Sequence, residues 1–319
     1  MNSDKNRVAP KVWLITGCST GFGRALAEAV LKQGDCLLAT AREPAQLRAL
    51  IDHYPKTAFG ERLDVTISQE IQAAVDAAIK TFGRIDVLVN NAGYGLIGAL
   101  EEVSDTDIRQ EFETNFFGAV HLIRTVLPLM RQQGSGHIVN MSSTAGFVGF
   151  GGSSIYCATK FALEGISEAL AKEVESFGIK VTLIEPGAFR TNFNGRSLAA
   201  AEQPIDAYDP VSGASLQWFK EMDGKQPGNP AKAAQAIIQA VESPNPPMRL
   251  ALGTDAMSLI QDKLESVKTS LDGWQQVTVS TDYTDSHAEA IALVANERAS
   301  HEMVLTPTQV QDFSQERGK

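Results

Sequence analysis

The chain has 319 residues, 43% hydrophobic and 21% charged, with a formal net charge of −10. No run of Lys or Arg interrupts this acidic balance, which argues against nucleic acid or an anionic membrane as the main partner. The cysteines (Cys18, Cys36, Cys157) lack CxxC spacing and the histidines (His53, His121, His137, His287, His301) are scattered, so no metal site is expected. No signal-type apolar core and no apolar run of bilayer length is visible, and a reducing cytoplasm fits best.

In chain order, residues 1–10 are polar and read as a loose N-terminus. Val12–Thr16 is a short apolar run that ends in a Gly-punctuated turn, and a helical pattern through Ala25, Leu26, Ala29, Val30 and Leu31 closes at Gly34. A second apolar run follows at Cys36–Thr40. A helix is expected near Pro44–His53, a strand near Arg62–Val65, a helix over Ser68–Phe82 and a strand over Ile85–Asn90. A long helical region covers Thr106–Arg131. His137–Met141 reads as a strand, Ser154–Phe177 as a helix and Ile179–Ile184 as a strand. Asn229-Pro230 predicts an N-cap with proline in the first turn, opening a helix to Val241. Met248–Leu252 is the last expected strand. From Thr254, Met257, Ile260, Leu264, Val267 and Leu271 recur at three and four, which predicts a helix with one apolar face. Short buried-type runs alternating with amphipathic helices predict a doubly wound α/β parallel sheet, a Rossmann fold, over residues 11–283.

The chemistry concentrates at Tyr156 and Lys160. Four apart on a helix, they share one face, one turn above the other. A phenol titrates at about 10 in isolation, and a nearby ammonium favours the phenolate. Ser143, thirteen residues upstream, is placed to hydrogen-bond a carbonyl or alcohol oxygen that the tyrosine protonates or deprotonates. Such a site needs a hydride partner. The turn Gly17-x-x-x-Gly21-x-Gly23 after the first strand supplies its place, because glycines admit phosphate to the backbone and a helix N-terminus supplies N–H groups. Arg42, with no acid at the end of the second strand, points to a ribose 2′-phosphate and hence to NADP(H), with Ser19 or Thr20 assisting.

With both sets in hand, the chain resembles the classical short-chain dehydrogenase/reductase family. The matching motifs are Thr16-Gly17-Cys18-Ser19-Thr20-Gly21-Phe22-Gly23, Asn90-Asn91-Ala92-Gly93, Asn115, Ser143, Tyr156-Cys157-Ala158-Thr159-Lys160 and Pro186-Gly187-Ala188-Phe189-Arg190-Thr191. The resemblance implies that Tyr156 is the general acid/base and that Lys160 lowers its pKa and bonds the nicotinamide ribose. It also implies that Ser143 orients the substrate oxygen and that Asn115 holds a water linking Lys160 to solvent. Asp64 and Val65 would sit at the adenine, Asn91, Ala92 and Gly93 near its ribose, and Pro186, Gly187 and Thr191 at the nicotinamide amide. A homodimer or homotetramer pairing through the long helices is the family habit.

Cys18, Cys157 and His137 read as packed structural residues. Residues 188–228, with Phe189, Phe193, Tyr208, Trp218, Phe219 and Met222, are expected to close over an apolar or aromatic carbonyl or alcohol substrate. Residues 284–319 form a C-terminal extension, in which Ala288, Ile291, Ala292 and Ala295 suit a short helix. An isomerase or reductive cyclase on the same site, and a cofactor-sensing regulator, stand as alternatives to simple redox.

Overall fold

The computed structural model describes residues 9–283, and the chain divides into two compact units, Met1–Lys263 and Leu264–Lys319. The expected 284–319 extension lies outside the described residues. β1 (Val12–Ile15) leads to α1 (Gly21–Gln33) and β2 (Cys36–Ala41). α2 (Arg48–His53), β3 (Ala58–Arg62), α3 (Ser68–Phe82) and β4 (Val87–Asn90) follow. Then come β5 (Gly95–Ile97), α4 (Asp105–Phe112), a π-helical stretch at Glu113–Phe117 and α5 (Gly118–Gln133). β6 (Gly136–Met141), α6 (Ser154–Val174) and β7 (Ile179–Pro186) continue the alternation. α7 (Phe193–Arg196), β8 (Leu198–Ala200) and α8 (Ala214–Met222) occupy the segment after β7. α9 (Pro230–Glu242), β9 (Arg249–Leu252) and α10 (Thr254–Val279) complete the described chain.

The main sheet is parallel, with strand order β3-β2-β1-β4-β6-β7-β9. Period-two alternation splits its side chains into two cores. Trp13, Ile15, Leu37, Ala39, Val87 and Val89 face Leu26 and Val30 of α1 and Ile237 and Val241 of α9. Leu14, Leu38, Leu88 and Ile138 face α3, α5 and α6 through Ile71, Val75, Leu122, Val126 and Leu170. Each fully buried aliphatic side chain contributes roughly 1.5–3 kcal/mol, so the central strands are the most firmly held part of the sheet. α9 begins as its sequence predicts: the Asn229 side chain accepts from the N–H groups of Ala231 and Lys232, with Pro230 in the first turn.

Two expectations need correction. The third strand is Ala58–Arg62, ahead of the expected Arg62–Val65, because Leu63–Val65 have already left the ladder and turn toward α3. The helix expected over Thr106–Arg131 is α4 and α5 joined by the π-helical stretch at Glu113–Phe117, and that stretch carries Asn115. The apolar face expected on α10 is present in sequence but not covered among the described residues: only Ala256 of the helix is buried, while Met257, Leu264, Val267 and Leu271 are exposed. The pairing of β5 with β8 is not legible in sequence, since three-residue strands leave no periodicity to read. Among the described residues, no helix is long and apolar enough to cross a membrane.

His137 on β6 is buried, and Nε2 lies 2.9 Å from Thr182 Oγ1. The Thr182 hydroxyl spends its proton on the Pro247 carbonyl at 2.8 Å, so Oγ1 accepts from Nε2–H and the neutral ring is the form that fits. Burial, with smaller contributions from Lys11 and Lys180, pushes its pKa down from 6.5 to about 4. A depressed histidine pKa means that the unfolded state binds the proton first. The stabilisation is therefore complete above pH 6.5 and is lost as pH falls toward 4. Thermal unfolding measured against pH is expected to show this acid limb in the wild type and a shallower one in His137→Gln. Identical limbs would contradict the assignment.

Candidate active site

A cleft of about 1310 Å³ opens beyond the carboxyl ends of β1 and β4, where the strand order reverses. Its floor is the turn after β1. Gly17 and Gly21 have φ of 70° and 59°. A Cβ on Gly17 would meet Asn91 Nδ2 at 3.1 Å, and one on Gly23 would lie 2.3 Å from the Gly17 carbonyl oxygen. Gly23 thus serves the packing of α1 on the turn and does not line the cleft. The first turn of α1 holds no acidic residue, and Thr20 makes no side-chain cap bond. Its free N–H groups and positive helix end are an anion site next to Ser19, Thr20, Gly21 and Phe22, which line the cleft. These observations fit the pyrophosphate of a dinucleotide.

The turn is fixed from β4. Thr16 Oγ1 accepts from the N–H groups of Asn91 and Ala92 at 2.9 and 2.8 Å, and Asn91 Nδ2 donates to the Thr16 carbonyl at 2.7 Å. Asn91 therefore bridges two strand ends as well as lining the cleft. Arg42 follows β2, is exposed, and has no ion-pair partner among the described residues. Arg62 donates to the Arg42 carbonyl at 3.0 Å while paired with Glu70 at 2.9 Å. Asp64 and Val65 line the cleft, but Asp64 Oδ1 already accepts from the Thr66 N–H and hydroxyl at 3.0 and 2.7 Å.

On the opposite wall stand Pro186, Gly187 and Thr191. Asp255, at the start of α10, holds this stretch by accepting from the Ala188 N–H at 2.6 Å. No local pattern marks Asp255 for this role, because its partner lies 67 positions away. Gln226 is 1% exposed, lines the cleft, and has both amide atoms unpaired.

The reactive cluster lies deeper. Tyr156 and Lys160 share one face of α6, with Lys160 Nζ 5.7 Å from the phenol ring centroid. The buried ammonium donates to the Met141 carbonyl at the end of β6 at 2.8 Å. The Ser143 hydroxyl acts on the phenol and lowers its pKa. Its own oxygen also accepts from the Ala145 N–H at 3.1 Å, which holds the hydroxyl in place. Asn115 lies behind the cleft: Oδ1 accepts from the Tyr94 N–H at 3.0 Å and Nδ2 donates to the Tyr94 carbonyl at 2.8 Å. Only glycine fits at position 93, where a Cβ would lie 2.9 Å from Asn115 Oδ1.

Electrostatics modify one expectation. Burial raises the Tyr156 phenol pKa above its ordinary value, the Ser143 hydroxyl lowers it, and Glu111 and Cys157 raise it. The expected lowering by Lys160 is not among these causes, and the pKa is raised on balance. Burial also pushes Lys160 down to about 8, against the pull of Glu111 and Glu164. A protonated phenol beside a held serine hydroxyl can donate to a carbonyl oxygen at neutral pH. The cysteines do not compete: Cys18 is pushed up to about 12 by burial, and Cys157 Sγ accepts from the Phe150 N–H at 3.4 Å. Among the described residues, no cluster of metal ligands forms.

A buried scaffold carries α6 into register. Asn90 Nδ2 donates to Asn140 Oδ1 at 2.8 Å, Asn140 Nδ2 to Ser167 Oγ at 2.8 Å, and Ser167 to the Leu163 carbonyl at 2.6 Å. Arg249 on β9 pairs with Glu164 and Glu168 of α6 and with Glu185 of β7. Sequence reasoning passes over Asn140, Ser167 and Arg249, which resemble ordinary strand and helix residues until the strands are ordered.

The short chain dehydrogenase family model matches residues 11–202. Oxidoreductase BOA17 of Botryotinia fuckeliana is 38% identical over 85% of this chain and 99% of its own length. A 3-ketodihydrosphingosine reductase of Bacteroides thetaiotaomicron is 38% identical over 76% of this chain and 88% of its own. Retinol dehydrogenase 8 of Bos taurus is 36% identical over 82% and 88%. A short-chain dehydrogenase structure from Streptomyces avermitilis aligns with a TM-score of 0.82 and 45% identity, over 86% of this chain and all of that one. A Burkholderia phymatum relative in complex with NAD aligns at 0.73 and 26% identity, over 82% of this chain and 95% of that one. ElxO with NADP bound aligns at 0.65 and 28%, over 78% and 99%. The chain belongs to the short-chain dehydrogenase family and is an oxidoreductase of that family.

Tyr156→Phe is expected to lower turnover by about 10²–10⁴-fold, the usual worth of a positioned acid/base, with nicotinamide cofactor binding unchanged. Steady-state rates together with cofactor fluorescence titration check this. Near-wild-type turnover in the variant would remove Tyr156 from the chemistry.

Proposed function

We propose that this protein is an NADP(H)-dependent carbonyl reductase that converts a bulky apolar or aromatic ketone or aldehyde to the alcohol, and the reverse. The observation that carries the reading is the Ser143 hydroxyl beside the Tyr156 phenol, with the buried Lys160 ammonium on the same helix face, set in the same cleft as a bare helix N-terminus. A nicotinamide dinucleotide bound there supplies the hydride. Gly17, Ser19, Thr20, Gly21 and Phe22 would hold its pyrophosphate end, Arg42 a ribose 2′-phosphate, Asp64 and Val65 its adenine, and Pro186, Gly187 and Thr191 its other end.

The chain's own residues account for the proton. Ser143 donates to the substrate oxygen and fixes its direction. Tyr156 gives its proton to that oxygen as negative charge develops there, and the Lys160 ammonium stabilises the phenolate left behind. Burial keeps water from competing for the same hydrogen bonds.

Apolar side chains support the substrate class. Leu96, Phe150, Phe193, Leu198, Trp218 and Phe219 line the cleft, and the Phe193 ring packs on Tyr156 with centroids 5.8 Å apart. Two of the relatives are named for lipid-like substrates, 3-ketodihydrosphingosine and retinol. Solved relatives hold NAD in one case and NADP in another, so the preference for NADP(H) rests on Arg42 and the absence of an acid beside it.

Titration with NADPH and NADH, followed by loss of absorbance over a panel of aromatic and alicyclic ketones, tests the reading. NADPH is expected to bind more tightly and to be consumed with a subset of the panel. Binding without consumption would favour a cofactor sensor, and a product that is not the alcohol would favour an isomerase or cyclase. Arg42→Ala is expected to weaken NADPH by about 10- to 100-fold, the worth of a charge-assisted hydrogen bond, and NADH little. Equal losses for both would contradict the 2′-phosphate role.

A further inference from the structure

Glu111, on α4, is a carboxyl enclosed beside the reactive pair, with 0% exposure, and Glu164, 4% exposed and paired with Arg249, is the other that acts on Lys160. Glu111 Oε1 lies 3.5 Å from Asn115 Nδ2, a distance at the limit of a hydrogen bond, and its Oε2 has no partner. The Leu96 N–H of β5 favours its charged form. A wholly buried carboxyl with one spare oxygen is costly to keep ionised, and a purely structural role at this position would be served better by an amide or an aliphatic chain.

The titratable groups facing it come from each element packed around it. α6 contributes Lys160, Tyr156 and Cys157, and the stretch after β4 contributes Tyr94. Among them only Lys160 brings positive charge. Resting on the reading of this site as a carbonyl reductase, we propose that Glu111 is a positioning residue for the proton path. In this role its carboxyl keeps Lys160 charged and Tyr156 protonated, the forms that reduction requires, as the surroundings turn alkaline.

Charge links the three groups. Burial raises Glu111 from 4.5 to about 8, with Lys160 and the Leu96 N–H lowering it. Lys160, pushed down by burial, arrives at about 8 as well. The two groups therefore compete for the same proton loss. When Glu111 loses its proton, the new carboxylate favours the Lys160 ammonium and disfavours the Tyr156 phenolate. A proton lost from Glu111 is thus one that the chemistry does not use. Without the carboxyl, the ammonium itself is the next group to lose its proton.

Glu111→Gln keeps the shape and the neutral form. Its carbonyl reduction at mildly acidic pH is expected to match the wild type, while the alkaline fall of kcat/KM moves down by about one pH unit or more, the effect of removing a neighbouring charge. An unmoved alkaline limb, with any change confined to KM or thermal stability, would assign Glu111 to packing alone. A second readout needs no turnover. A raised carboxyl pKa makes the native state the better proton binder, so the wild type loses stability as pH rises from 4.5 to about 8 and Glu111→Gln does not. If that variant does not fold, carboxyl ¹³C titration of the wild type decides: a glutamate titrating near 8 is expected, and all glutamates in the ordinary carboxylate range would overturn the proposal. Absence of turnover in the wild type would instead count against the reductase reading, leaving the stability and titration results to judge Glu111.

Discussion

An ammonium has been taken out of water and set on the end of a β-strand. Lys160 is 7% exposed and its Nζ donates to the Met141 carbonyl at 2.8 Å. Removing such a charge from water costs several kcal/mol unless hydrogen bonds and counter-charges offset it. The offset comes from the surroundings: the open carbonyl ending β6, the carboxyls of Glu111 and Glu164, and the face of the Tyr156 ring. These groups come from three elements, β6, α4 and α6 itself. The lysine can keep its position only if β6, α4 and α6 meet in one register, and Tyr156 then stands one turn away on the same helix.

That register is supplied by polar groups inside the core. Buried amides and hydroxyls are expensive when unpaired, so the Asn90–Asn140–Ser167 chain ties β4, β6 and α6 together in one arrangement. Thr16 does the same for the ends of β1 and β4, using one hydroxyl for two N–H groups. The apolar cores on the two sheet faces stabilise the domain without discriminating finely between neighbouring registers. The polar latches do discriminate, and they lie on the side of the sheet where the cleft opens.

Much of this is legible in the amino-acid sequence itself. The β/α alternation follows from short apolar runs spaced by helical patterns, and Ser143, Tyr156 and Lys160 follow from helical spacing and family motifs. Asn229-Pro230 marks the start of α9 because capping chemistry is local. What escapes a sequence reading has a common cause: it depends on partners far away in the chain. Asp255 acts on Ala188, Arg249 on Glu164 and Glu185, and Asn140 on Asn90 and Ser167. The π-helical turn at Asn115 arises within what reads as unbroken helical periodicity, so only the backbone reveals it. The role of Gly23 and the phenol electrostatics escape for a related reason, since spacing says nothing about which way a residue faces or how deeply it is buried.

The most direct test is isotopic. NADPH carrying deuterium at both C4 positions of the nicotinamide is incubated with the protein and a bulky aromatic ketone, and the alcohol is analysed by mass spectrometry. One deuterium is expected in the product, on the carbon that was the carbonyl carbon, with the hydroxyl proton drawn from solvent. An alcohol without deuterium at that carbon would contradict direct hydride transfer in this site, because the cleft would then hold the cofactor without aligning it on the oxygen that Ser143 and Tyr156 bind.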